Sequence, residues 1–381
     1  MDEFQSISPY TDEEAVKALT RVSWHPAMLS ISKYLFPNEP ANLLGKMLRE
    51  VRGVDDFQHV VMTQVIDSVL SQTSMGVSCS GIENLKALKG RFLLVSNHRD
   101  IVLDPAIIQC LLAKGGVDMT EICVGNNLLS SQLVEDLMRS NRMIKVIRGI
   151  SARELYLSSQ LLSKYIRTRI TSGEASVWIA QKEGRTKNGL DATEQGLLKM
   201  FDMSGTKTFS ENFEELNIVP VSISYEYEPC DWRKARELLI SRSQKYVKKK
   251  NEDLHSILTG IRQWKGRISI VFNEPLTHDE IERAGQWRGN DRYQAIRRAM
   301  DRHIIAGYKL WPTNYIAFDL VNGTHAYADM YTEEEVDKFI AYMEHKIAKI
   351  ETKYNRDDLR DIFLHIYSNP VENKRKSALE L

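Results

Sequence analysis

The chain has 381 residues, with 51 Lys and Arg against 51 Asp and Glu, so its formal net charge is zero. Binding to nucleic acid favours an excess of cations, and the balanced charge therefore argues against a nucleic-acid partner. The hydrophobic content of 43% is enough for a sizeable core in one large or two modest domains, which excludes wholesale disorder.

The cysteines and the apolar runs restrict the cellular location. The four cysteines are scattered without the spacing of a metal site or a disulfide framework, which favours a reducing compartment. The opening sequence MDEFQSISPY is acidic and polar, unlike a signal peptide. The longest apolar runs fall short of the roughly 18–20 residues that span a bilayer. We expect a cytoplasmic protein, either soluble or bound peripherally to the inner face of a membrane.

The N-terminal part of the chain reads as several helices over residues 11–75. Thr11 followed by Glu14 matches a capping box at a helix start. The stretch 24–36 is rich in large apolar groups and contains Trp24, so it is the first candidate for contact with a membrane surface. We therefore assign residues 1–75 to an N-terminal helical region.

Short apolar runs alternate with helical patterns from residue 77 onward. The predicted strands are residues 91–96, 143–147, 175–180, 218–225 and 267–272. The predicted helices between them include residues 105–114 and 152–171. Strands that alternate with helices are typical of an α/β fold with a mainly parallel sheet flanked by helices. We assign this fold to a domain over residues 76–278.

The last hundred residues, 279–381, are mostly helical in pattern. Thr332 with Glu335 marks one helix start, and an apolar stripe follows from Val336 to Ile350. The sequence therefore predicts a helical C-terminal extension. The stripe is a second, less suited candidate for membrane contact, because its opposite face is acidic rather than basic.

A histidine stands where a predicted strand ends and a predicted helix begins, which is where open α/β sheets bind ligands. His98 in this position could take a proton from an alcohol near neutral pH. Such a base needs a carboxylate on its other ring nitrogen, and Asp104 or Asp100 could supply it. The structural alternative is that Asp104, which precedes Pro105, simply caps the helix.

Basic residues follow two other predicted strands. Arg185 and Lys187 come after the strand at 175–180, next to Gly184, which would let the backbone approach a ligand. Arg148 follows the strand at 143–147. These side chains are suited to a phosphate clamp, with arginine giving two parallel contacts. The alternative for each is a solvated surface turn.

Together and in this order, these motifs resemble the glycerol-phosphate and lysophosphatidate acyltransferase family. That family carries a His-x4-Asp block, an Arg-bearing block, a Glu-Gly-(Thr/Gly)-Arg block and a Pro-centred apolar block. The counterparts here are Asn97-His98-Arg99, Val146-Ile147-Arg148, Lys182-Glu183-Gly184-Arg185-Thr186 and Ile218-Val219-Pro220-Val221. Two differences stand out: five residues separate His98 from Asp104, and none separates Gly184 from Arg185. The resemblance covers about residues 77–275.

The resemblance implies transfer of a fatty acyl group from an acyl thioester, on coenzyme A or an acyl-carrier protein, to a hydroxyl of glycerol 3-phosphate or lysophosphatidate. His98 would be the catalytic base without an acyl-enzyme, with Asp104 as its partner and Asp100 as the fallback. The substrate-binding residues that it implies are Arg148, Glu183, Gly184, Arg185 and Lys187.

The expected partners are therefore the thioester donor, the phosphate-bearing glycerolipid acceptor and a membrane surface. The sequence lacks motifs for zinc, nicotinamide or ATP, so we expect no metal and no cofactor. Two alternatives stay open. One is an O-acyltransferase for an acceptor without phosphate, such as an aminolipid, which the short Gly-Arg spacing suggests. The other is a non-catalytic lipid-binding member of the fold, which the lengthened His-Asp spacing suggests.

Overall fold

A computed structural model describes residues 3–129, 131–149 and 151–379. The strands are β1 (Val77–Ser80), β2 (Leu93–Ser96), β3 (Glu121–Gly125), β4 (Met143–Val146), β5 (Val177–Ala180), β6 (Ile218–Tyr225) and β7 (Ile268–Phe272). Their order across the seven-stranded sheet is β1-β7-β6-β2-β5-β3-β4. The five strands from β6 to β4 run parallel, whereas β7 is antiparallel to β6 and parallel to β1. The predicted mainly parallel α/β sheet is confirmed.

Helices precede, connect and follow these strands. The N-terminal helices are α1 (Asp12–Ser23), α2 (Ala27–Leu35), α3 (Leu43–Glu50), α4 (Val54–Asp56) and α5 (Thr63–Thr73), the last two joined by a π-helical turn at Phe57–Met62. Those between strands are α6 (Ile82–Ala87), α7 (Leu103–Lys114), α8 (Gln132–Ser140), α9 (Ala152–Thr171), α10 (Gln195–Asp202), α11 (Phe209–Glu214), α12 (Asp231–Ser241) and α13 (Glu252–Arg262). The C-terminal helices are α14 (His278–Gly285), α15 (Asn290–Ala306), α16 (Pro312–Asn322), α17 (Glu333–Ile347) and α18 (Arg356–Leu379). Both predicted capping boxes, at the starts of α1 and α17, are present.

Two strands were not predicted, and each lacks the usual signal of a buried strand. β1 has the sequence VSCS, and its last three residues are exposed at the sheet edge, so no apolar run marks it. β3 begins with Glu121, which is buried because its carboxylate pairs with Arg169 of α9 at 2.8 Å. A charged residue at the start of a short strand breaks the apolar pattern by which a buried strand is recognised. The ion-pair partner of Glu121 lies on a distant helix, so the sequence does not show that Glu121 is buried.

The core lies on both faces of the sheet. Leu93 and Val95 of β2 belong to one apolar cluster and Leu94 to the other, and all three side chains are fully buried. Helices α1, α3, α5 and α7 cover the Leu94 face, and α9, α10 and α15 cover the opposite face. Burial of one such side chain contributes about 1.5–3 kcal/mol. The N-terminal helices therefore share a core with the sheet. The division of the chain into domains at residues 75 and 278 stays a prediction.

The C-terminal helices form a third apolar cluster. Phe339, Met343 and Ile347 of α17 pack with Phe363 and Tyr367 of α18, and all five are buried. The stripe predicted on α17 is therefore an interior surface. Its candidacy for membrane contact was wrong, because its amphipathic pattern reflects packing against neighbouring helices.

Helix α18 returns to the loop that follows β5. The amide of Asn369 donates to the carbonyl of Asn188 at 2.7 Å. The next residue, Gly189, has φ +77°, and a Cβ there would lie 2.4 Å from the carbonyl oxygen of Ile366. Only glycine allows this close approach, so the C-terminal extension is fitted against the loop that carries the predicted phosphate-binding residues.

We predict that Gly189→Ala destabilises the protein by more than the cost of a left-handed backbone alone, which is about 1–2 kcal/mol. The added methyl group would displace the backbone of α18. Gly173→Ala is the matched control, because Gly173 has φ +79° with nothing within 4 Å of a built Cβ. Denaturant unfolding measures both variants, and equal losses of unfolding free energy would contradict the prediction.

Candidate active site

The loop between β2 and α7 carries His98 and is held from two sides. The side chain of Asn97 donates to the carbonyl of Ile223 at 2.9 Å and accepts from its N–H at 2.8 Å, which ties the loop to β6. On the other side, the N–H of Thr186 donates to the carbonyl of His98 at 2.7 Å. The backbone at His98 is therefore fixed by neighbouring segments on both sides.

Asp104 lies in the first turn of α7, directly behind His98. Its Oδ2 is 2.9 Å from His98 Nδ1, and it also accepts from the backbone N–H groups of Arg99 at 2.6 Å and Asp100 at 2.9 Å. Its Oδ1 accepts from the hydroxyl of Tyr225 at 2.8 Å. The Asp104 side chain is fully buried, and these donors offset the cost of removing a carboxylate from water.

This arrangement selects the tautomer of His98. A carboxylate that accepts from Nδ1 leaves Nε2 unprotonated and able to take a proton. Burial and the neighbouring Asp104 carboxylate raise the pKa of Tyr225 well above its ordinary value, so its hydroxyl keeps its proton and donates. The structure brings together His98 and Asp104, and their catalytic roles stay predictions.

Asp100 has a different place from Asp104. Its Oδ1 accepts from the N–H groups of Val102 and Leu103, both at 2.9 Å, and thereby caps the start of α7. The reading of Asp104 as the helix cap was wrong, because α7 already begins at Leu103. The two carboxylates therefore have different partners: Asp100 accepts from N–H groups at the start of α7, and Asp104 faces the imidazole of His98.

A buried ionic network supports the loop that carries His98, and no local pattern in the sequence signals it. Arg99 is 4% exposed and donates to Asp191 Oδ2 at 2.6 Å, with Glu228 Oε2 at 3.6 Å. Burial opposes its charge, but these two carboxylates raise the pKa of Arg99 above its ordinary value. Lys234 Nζ donates both to Glu228 at 2.6 Å and to the carbonyl of Arg99 at 2.8 Å. The residue next to His98 is thus held in place by charges from distant parts of the chain.

A cavity of about 310 Å³ opens beside His98, at the carboxyl ends of β3, β4 and β5. Part of its wall is apolar and includes Ile122, Val124, Met143, Val146, Leu162, Ile179, Leu197 and Met200. The other part carries the predicted binding residues Arg148, Glu183, Gly184, Arg185 and Lys187, together with Lys182. All predicted site residues except Asp104, which is buried behind His98, therefore line one cavity.

The cations of this cavity are not equally available to a ligand. Lys187 forms an ion pair with Glu237 of α12, and Arg148 Nη1 lies 3.7 Å from Glu183 Oε1. The Nη1 of Arg185 is buried and has no hydrogen-bond partner within the described ranges. Because an unsatisfied buried donor costs about 1–3 kcal/mol, Arg185 is the side chain best prepared to receive an anion.

The acyltransferase family model matches residues 76–224. This stretch is an acyltransferase domain. It contains every predicted site residue, from His98 to Lys187, and the resemblance to acyltransferases drawn from the sequence is confirmed over this range. Strand β7 and the C-terminal helices lie beyond the match.

A search of curated proteins found no match. Among solved structures, the chain is similar to the crystal structure of the 1-acyl-sn-glycerophosphate (LPA) acyltransferase PlsC from Thermotoga maritima. The sequence identity is 13% and the TM-score 0.39, and the match covers 75% of this chain and 91% of that chain. The assignment of the acyltransferase domain rests on the family match.

We predict that Asp104→Asn lowers kcat for acyl transfer by about 10²–10⁴-fold, because an amide no longer favours the productive tautomer or stabilises an imidazolium. Asp100→Asn is the matched control. The Oδ1 of the new asparagine can still accept from the first turn of α7. The kcat of Asp100→Asn should therefore stay within about tenfold of the unmodified protein, the size of one lost charge-assisted contact. Thermal melts recorded with the rates separate catalysis from folding. The reverse ranking of the two variants would transfer the role to Asp100.

Proposed function

We propose that the protein is a glycerolipid O-acyltransferase of phospholipid biosynthesis. It would move a fatty acyl group from an acyl thioester to a hydroxyl of glycerol 3-phosphate or lysophosphatidate. The observation that carries the proposal is the His98–Asp104 pair, which opens onto a cavity with one apolar and one cationic wall inside an acyltransferase domain.

The chemistry follows from the orientation of His98. Its Nε2 takes the proton of the acceptor hydroxyl as the oxygen attacks the thioester carbonyl carbon, which forms a tetrahedral intermediate. The intermediate collapses with cleavage of the carbon–sulfur bond, and the leaving thiolate takes the proton from the imidazolium. The products are an ester and a free thiol, with His98 neutral again. Asp104 stabilises the imidazolium between the two proton transfers.

The two walls of the cavity suit the two parts of the substrates. An acyl chain along the apolar wall gains about 0.8 kcal/mol for each buried methylene. Arg148 and Arg185 would contact the acceptor phosphate, with Glu183 orienting Arg148. Lys187 is already paired with Glu237, so its contribution to phosphate binding would be smaller than that of the two arginines.

Both alternatives from the sequence bear on this site. The ion pair of Lys187 and the proximity of Glu183 to Arg148 reduce the free positive charge, which favours an acceptor without phosphate as the second candidate. The non-catalytic alternative rested on the long His98–Asp104 spacing. That spacing leaves the two side chains 2.9 Å apart, so it gives no reason to doubt the pair.

The proposed acyl donor and product carry acyl chains, so a protein bound at a membrane surface would meet them there. The described residues contain no helix that is long and apolar enough to cross a bilayer. Trp24 is 71% exposed and Leu29 54% exposed, and Ile31 lies on the same helix as Leu29. An exposed tryptophan suits the membrane interface, so this surface is our proposed peripheral contact on the inner face of a membrane. Met28, in contrast, belongs to the core.

We predict that His98→Ala folds normally and loses about 10²–10⁴-fold or more in turnover, the usual weight of a general base. His59→Ala, on the exposed side of the π-helical turn, is the control and should keep full activity. Mass spectrometry of the product lipid, with lysophosphatidate and a hydroxyacyl aminolipid as competing acceptors, identifies the reaction. Near-full activity of a folded His98→Ala protein would refute the mechanism. An acylated aminolipid as the main product would instead identify an aminolipid as the acceptor.

We also predict that Arg148→Gln raises KM for the phosphate-bearing acceptor about tenfold or more and leaves KM for the donor nearly unchanged. A charge-assisted contact to one substrate is lost, and each 1.4 kcal/mol corresponds to about a factor of ten. Arg288→Gln, on an exposed loop, is the matched control. If the acceptor constant stays the same in Arg148→Gln, Arg148 does not contact the phosphate.

A further inference from the structure

A second cavity, of about 260 Å³, lies next to the first and is built largely from residues beyond the family match. Its walls come from α12, from α13 with the segment that precedes it, and from residues 349–351 after α17. Arg185 lines both cavities. The ion pair between Lys187 of the first cavity and Glu237 of the second also crosses the shared wall.

The second cavity is strongly cationic, with seven Lys and Arg side chains against three carboxylates. Two of these carboxylates are already engaged: Glu351 by Arg236 at 2.7 Å, and Glu237 by Lys187. Five cations have no ion pair with a carboxylate anywhere in the described ranges, namely Arg185, Arg233, Lys249, Lys250 and Lys349. The recess therefore carries positive charge that the protein itself does not neutralise.

Arg233 is fixed in position rather than left mobile in solvent. Its Nε donates to Thr259 Oγ1 at 2.9 Å, and its guanidinium stacks 4.5 Å from the ring centre of Trp232. Burial lowers the pKa of Arg233, and the positive charge of Arg185 acts in the same direction. Cations assembled against their own repulsion form a preorganised site, because a bound anion relieves that repulsion.

The amount of charge indicates the kind of anion. One phosphomonoester carries about −1.5 to −2 charges near pH 7, less than five unpaired cations can accommodate. The nucleotide part of coenzyme A carries a pyrophosphate and a separate phosphomonoester. Its pantetheine arm would connect these phosphates to a thioester in the first cavity. A recess of this size also suits a small polyanion better than the convex surface of a folded carrier protein.

We infer that the second cavity binds the nucleotide phosphates of a coenzyme A thioester, with the pantetheine arm passing Arg185 toward His98. The inference rests on the proposed function, and it selects coenzyme A over a carrier protein as the acyl donor. Lys249 and Lys250, which lie exposed in the segment before α13, are then at the rim of this donor site.

Calorimetric titration of His98→Ala protein tests the site without turnover. The probes are coenzyme A, its analogue without the 3′-phosphate, pantetheine and glycerol 3-phosphate. Adding Lys249→Gln and Lys349→Gln together should weaken coenzyme A binding about tenfold or more, because two charge-assisted contacts are lost. The affinities for pantetheine and glycerol 3-phosphate should not change. Lys86→Gln with Lys89→Gln, both exposed near α6, is the matched control.

In the active protein, the Lys249 and Lys349 changes should raise KM for acyl-coenzyme A by the same factor. They should leave kcat and the kinetics with acyl-pantetheine unchanged. Unchanged coenzyme A affinity would overturn the inference. So would an equal loss of glycerol 3-phosphate binding, or lysine-dependent use of an acyl-carrier protein by a chain that does not bind coenzyme A. Lysine-dependent coenzyme A binding without acyl transfer would instead overturn the proposed function and keep the site.

Discussion

The rest of the site depends on the hydrogen bonds that the buried carboxylate of Asp104 accepts. This carboxylate accepts hydrogen bonds from the imidazole of His98, from the backbone of Arg99 and Asp100, and from the hydroxyl of Tyr225. One buried group therefore shapes the loop after β2 and orients the imidazole of His98 at the same time. The extra residue between His98 and Asp104 is accommodated because the loop turns around this carboxylate, with Asp100 completing the helix start.

The sequence predicts most of the sheet and which residues lie together at its carboxyl edge, because both rest on local patterns. Apolar runs mark β2, β5 and β6, and the polar blocks that follow parallel strands meet at one edge of the sheet. It does not predict β1, which is polar at the sheet edge, or β3, whose Glu121 needs a partner from α9. The network around Arg99 is equally hidden, since Asp191 and Glu228 come from distant loops. Sequence patterns report burial along one element and do not report which distant charges will meet.

The C-terminal extension belongs to the site as much as to the core. Its helix α18 touches Asn188 and Gly189, and Tyr367 Oη donates to Asp231 Oδ2 at the start of α12 at 2.9 Å. The loop after β5 is therefore held between the acyltransferase domain and helices beyond the family match. The substrate binding that we propose for Arg185 and Lys187 would then depend on both parts together, and of the residues that line the second cavity only Arg185 lies within the family match.

The position of Arg185 in the wall between the two cavities has a thermodynamic consequence. An anion in either cavity changes the electrostatic field in the other, so the two occupancies are linked. Linkage is reciprocal: the factor by which one ligand alters the affinity of the second equals the factor by which the second alters the first. The affinities of the two proposed ligands measured separately would therefore differ from those in a ternary complex by this shared factor, and the guanidinium of Arg185 would contribute to it.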